Sequence, residues 1–132
     1  MQFRIFLLCI ILGPASLLGH DGVHVDVDRI NEQITRSDDP GPLYLMRAKL
    51  CRAHGRPDLG LKDCQVARGC GVDPTAEKFE RALCLRDTLR HDRAMQLLDE
   101  LVNNSVAAPL DVLSERSSIR QWRGDIDGAI ID

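Results

Sequence analysis

The sequence predicts an all-α protein built from antiparallel helical hairpins. Three observations carry this expectation. Apolar residues recur at three- and four-residue spacing and nowhere sustain the alternation of a strand. Clusters of Gly, Pro, Asn and Asp interrupt the apolar pattern at regular intervals. Every interruption is short, so successive helices must fold back as neighbours.

The elements follow in order. Val27, Ile30 and Ile34 lie at i, i+3, i+7, and Ser37-Asp38-Asp39-Pro40-Gly41-Pro42 then stops the helix. Leu43, Met46, Leu50 and Cys51 share a face until His54-Gly55-Arg56-Pro57 breaks it. Leu59, Leu61, Cys64 and Ala67 mark a third helix, ended by Gly69-Cys70-Gly71. Asp73 is a good N-cap, and Pro74 suits the first helical turn because its missing N–H is not needed there. Phe79, Ala82, Leu83 and Leu89 continue that helix; Ala94, Leu97, Leu98 and Leu101 form the next, closed by Asn103-Asn104-Ser105. Val112, Leu113, Ile119 and Trp122 make another, and Gly124-Asp125 opens a last one.

Residues 1–19 have a separate fate. Arg4, the eight-residue apolar run Ile5–Leu12 and the small-residue stretch that follows form a secretory signal pattern. The run is too short for a membrane span, which needs about 20 residues. Cleavage is expected after Gly19, with Ala15 as the alternative. It removes one arginine and no acid, so the formal charge moves from −3 to −4. No second apolar run of spanning length follows, so no transmembrane anchor is expected. The absence of a basic excess argues against nucleic-acid binding. The expected address is the periplasm or the outside of the cell.

Self-comparison then reveals a period. Residues 41–74 and 75–108 align as two copies of 34 residues, and residues 110–132 begin a third after one inserted residue. The eighth position holds Ala48 and Ala82. The twentieth, where two helices cross closely, holds Gly60, Ala94 and Ala129. Cys64 and Leu98 share the twenty-fourth, Ala67 and Leu101 the twenty-seventh. Gly124 stands at the inter-helix turn beside Gly55 of the first copy, whereas the second copy has Leu89 there.

On these residues, and on the string Gly124-Asp125-Ile126-Asp127-Gly128-Ala129, the chain resembles the tetratricopeptide repeat family, in particular exported bacterial members with a signal, a leading helix (here in residues 20–40) and then repeats. The resemblance spans residues 41–132. It departs from the family pattern at Lys78 and Leu113, where the aromatic seen as Tyr44 is expected, and at Leu89. It implies a right-handed α–α superhelix, with the last repeat incomplete. The third copy reaches Asp132 partway through its second helix. Either the sequence is shortened relative to a longer relative, or this edge associates with a second copy.

The resemblance also implies a concave groove lined by the first helices of successive repeats. Projecting the register places Leu45, Lys49, Arg52, Phe79, Leu83 and Arg86 on it, with Gln121 and Trp122 toward the end. Three cations among apolar residues suit an extended peptide bearing a carboxylate. Four cysteines follow the signal: Cys51, Cys64, Cys70 and Cys84. In an oxidising compartment they permit two disulfides in three connectivities. The repeat register favours Cys51–Cys64, leaving Cys70–Cys84, while buried free thiols are the competing reading. No Cys-x-x-Cys motif is present.

His20 and His24 lie near the new N-terminus, where the α-amine and imidazoles are weak metal candidates against a solvated terminus. His54 and His91 are placed at the ends of first helices, where a histidine favours the dipole. No catalytic motif is found and no cofactor is implied. Two classes of function therefore stand: an exported, non-catalytic module that binds a protein or peptide partner, and a metal-binding or enzyme-accessory protein using the His20–His24 terminus.

Overall fold

The structure, a computed structural model, describes residues 21–106 and 109–132. The signal segment expected at residues 1–19 lies outside the described residues. These are all-helical, with seven helices: α1 (Asp21–Arg36), α2 (Gly41–Ala53), α3 (Pro57–Gly69), α4 (Pro74–Asp87), α5 (His91–Asn103), α6 (Leu110–Trp122) and α7 (Ile126–Ile131). Among the described residues, no helix is long and apolar enough to cross a membrane.

Each helix packs on the next. α2 also touches α4, and α4 touches α6, so the first helices of the three hairpins stand in a row. α1 turns Ile30 inward and lies against α2. One apolar core joins the second and third hairpins through Leu85, Met95, Leu98, Leu101, Val112 and Ile119. A smaller one lies within the first hairpin around Leu45, Ala48, Cys64 and Ala67.

The helix ends obey local chemistry. Asp73 Oδ2 accepts the Ala76 N–H at 2.9 Å, and Asp125 Oδ1 accepts the Gly128 N–H at 3.0 Å. Each such cap is worth about 1 kcal/mol. The three turns within hairpins share one construction. Gly55, Leu89 and Gly124 adopt left-handed φ values of 73°, 60° and 80°. Behind each, the next N–H reaches back five residues: Arg56 to Cys51 O at 2.8 Å, Arg90 to Leu85 O at 2.8 Å, Asp125 to Arg120 O at 2.9 Å. This is the Schellman closure, which satisfies carbonyls the helix leaves unpaired.

The apolar spacing placed Leu89 on the face of α4, but the helix ends at Asp87 and Leu89 sits in the turn, three-quarters exposed. A leucine Cβ crowds the following carbonyl at positive φ, at a cost of about 1–2 kcal/mol. Replacing Leu89 with glycine is therefore expected to stabilise the protein by about 1 kcal/mol. Thermal unfolding should show a rise of roughly 5 °C.

The helices of each hairpin cross where side chains are small. Gly60 lies against the backbone carbonyl of Ala48, and Ala82 and Ala94 share the main core. In the third hairpin the Ser117 hydroxyl donates to the Ala129 carbonyl at 3.0 Å.

Candidate functional site

The face formed by α2, α4 and α6 was expected to be a basic groove. Its arginines are instead matched by acids that the same helices supply. Arg52 of α2 donates to Glu80 of α4 through Nε at 2.6 Å, and its guanidinium lies 3.9 Å from Asp87. Arg86 of α4 donates from Nε to Asp87 at 2.8 Å and pairs with Glu115 of α6. Burial works against both guanidinium charges, and hydrogen bonds and Coulomb attraction to these carboxylates more than offset it.

The arrangement is periodic. Arg52 and Arg86 are separated by one 34-residue period, and Glu80 and Glu115 by one period plus the inserted residue. Each arginine reaches the glutamate of the following hairpin. Gln121 takes the arginine's place in the third hairpin, and Met46 the glutamate's in the first. The ladder thus joins neighbouring first helices, and its charges serve stacking before they serve a ligand.

The remaining groove candidates separate by location. Leu45 and Leu83 are buried in the packing. Lys49 and Phe79 border one cleft with Asp73, Thr75, Ala76, Glu80, Pro109, Asp111 and Val112, about 260 Å³ in volume and spanning α2, α4 and the start of α6. Lys49 is exposed and has no ion-pair partner among the described residues. Gln121 is exposed near the end of α6.

Trp122 lies outside this cleft. Its ring stacks on His91, with centroids 4.1 Å apart and planes inclined by 15°. His91 does not end a first helix; it opens α5, because α4 stops at Asp87 and the Leu89 turn follows. Both of its ring nitrogens are buried without a hydrogen-bond partner. His54, by contrast, is the C-cap residue of α2.

All four described cysteines are free thiols. Cys51, Cys64 and Cys84 are buried and Cys70 is exposed. The neighbouring Cys64 thiol, followed by burial, pushes the Cys84 thiol far above its ordinary value. Cys84 also lies 3.8 Å from Glu80 Oε1. The Cys51 thiol is raised chiefly by burial. The Cys51–Cys64 and Cys70–Cys84 bridges favoured by the register are not formed here. Cys64 and Cys84 meet because α3 of one hairpin packs against α4 of the next.

His20 lies outside the described residues, as does the side chain of His24. Among the described residues no group of three or more His, Cys, Asp or Glu is arranged to hold a metal ion. Sequence reasoning missed the acids of the ladder. The signal was available, since Arg at the twelfth position and Glu at the sixth each recur in successive copies. No family model, curated protein or solved structure matches the chain.

Proposed function

We propose that the protein is an exported, non-catalytic interaction module of tetratricopeptide-like hairpins, taking a segment of a partner protein along its row of first helices. The observation that carries this reading is the cleft between Lys49, Phe79 and Val112, to which all three first helices contribute. A cleft assembled from successive hairpins suits an extended segment better than a small molecule. Its wall is apolar at Phe79 and Val112 and acidic at Asp73, Glu80 and Asp111, and the exposed Lys49 ammonium, without an ion-pair partner among the described residues, is the one group on it that a carboxylate of the partner can meet. The 34-residue period, the small residues at the hairpin crossings and the repeated turn construction support the tetratricopeptide reading of the scaffold.

The test is site-specific photocrosslinking in the exporting cell. A benzophenone amino acid at Thr75, an exposed position on the cleft, should capture a discrete partner. Lys49→Glu should reduce that capture at least about tenfold. Equal capture from Asp58, an exposed position on α3, would remove the groove reading.

A further inference from the structure

A second surface, formed by α3, α4 and α5, carries charge of a different kind. Among the described residues, Lys49, Arg56, Lys62, Arg68, Arg90 and Arg93 have no ion-pair partner. Three of these six, Arg68, Arg90 and Arg93, border a single cleft of about 370 Å³. Arg81 lines it as a fourth cation. Its Nε is 3.2 Å from Glu77 Oε1, but the two atoms are not aligned for a hydrogen bond and both are buried without one. Gln65 and Gln96 also line the cleft, Leu61, Leu85 and Leu97 add apolar surface, and no Asp or Glu lines it.

Arg90 and Arg93 also border a neighbouring cleft of about 620 Å³, which adds His91, Trp122 and Arg123. The one acid there, Asp92, is 3.1 Å from Arg123. The two clefts therefore make one basic tract ending at an exposed aromatic ring. Overall composition does not account for it, since the chain has 20 acids against 17 Lys and Arg. Like charges gathered at a surface repel one another, and elsewhere in this fold arginines are held by carboxylates.

We infer that the tract from Arg68 to Trp122 is a docking site for a short acidic peptide segment carrying apolar side chains. The arginine forks match carboxylates, and the glutamines can bond the peptide backbone. The leucines and Trp122 receive the apolar side chains. A long, uniform polyanion fits less well. It would overrun the tract onto an acidic molecule, and it has nothing to place on the leucines. This site shares no lining residue with the Lys49 cleft and does not depend on it.

The chain's single tryptophan, Trp122, gives a direct readout. Capped octapeptides of Asp, Glu and Leu in permuted order are titrated against the full protein while Trp122 emission is followed. Members of the set should shift the emission saturably, and their binding should weaken as salt is raised. Arg68→Gln/Arg93→Gln should weaken binding at least about tenfold, while Arg36→Gln, at an exposed cation of α1 outside both clefts, leaves it unchanged. Both arginines are exposed, so the double variant should keep its fold, checked by circular dichroism. No response from any octapeptide at millimolar concentration overturns the proposal. So does equal binding of Asn/Gln counterparts, or undiminished binding by the arginine variant. Equal or tighter binding of a heparin hexasaccharide or a single-stranded oligonucleotide overturns the choice of a peptide.

Discussion

Arg47→Met should cost about 3 kcal/mol and lower the unfolding midpoint by roughly 10–15 °C. Arg47 ties three helices together. Its Nε and one terminal nitrogen donate to both oxygens of Asp63 on α3, at 2.8 and 2.6 Å, and its other terminal nitrogen donates to Asn31 Oδ1 on α1 at 2.6 Å. The guanidinium also lies 5.1 Å from the centroid of the Tyr44 ring. The hydrogen bonds to Asp63 hold its pKa above the ordinary arginine value, against the opposing effect of burial.

Methionine keeps much of the aliphatic packing but leaves the Asp63 carboxylate, only 8% exposed, without its cation. An unpaired buried charge is what makes the change expensive. Arg47→Met/Asp63→Leu should recover most of the loss, because no charge is then stranded. Loss of the Asn31 bond should also free α1, read as faster amide exchange across residues 25–36 than elsewhere. A single variant within 1 kcal/mol of the parent in calorimetry would show that the pair contributes little.

Gly60→Ala should destabilise the protein by about 2 kcal/mol, although alanine favours a helix over glycine by nearly 1 kcal/mol. A Cβ at this position would lie 2.8 Å from Cys84 Sγ and 3.0 Å from the Ala48 carbonyl oxygen. The backbone atom has little room to retreat, because it belongs to the close crossing of α2 and α3. Cys84→Ala in the same chain removes the sulfur and should return about half of the loss. Chemical denaturation of the two single variants and the double variant measures the coupling. Additive effects would mean that the sulfur is not the obstacle. The test also separates two packing roles in one repeat position, since the second hairpin carries a fully buried Ala94 there.

What could be read before the structure has a common character. The stop at Pro40, the Asp73 cap and the glycine turns depend on residues within a few positions of one another, and the 34-residue period is a recurrence of such local patterns along the chain. Leu89 shows the limit of that reading. Its spacing fits a helical face while the repeat register sets it at the turn, and the Schellman closure around it decides for the turn. The apolar count was blind to the difference because a turn residue can fall on the helical period by chance.

The groove shows a deeper limit. Lys49, Arg52 and Arg86 have the same sign in a list of residues, yet two of them are held by Glu80, Asp87 and Glu115 and one has no ion-pair partner among the described residues. A charge's availability is set by the acid that the next hairpin brings beside it. The same holds for Trp122, assigned to the groove by register but stacked on His91, and for Cys64, which meets Cys84 across two hairpins.

Short-range chemistry therefore wrote the helices, their caps, their turns and the repeat into the chain, because each rests on backbone geometry and nearest neighbours. Which arginines are spent within the fold and which face outward was settled when the hairpins stacked. That outcome depends on pairs some 28 residues apart, such as Arg52 and Glu80, whose distance in space no local pattern encodes.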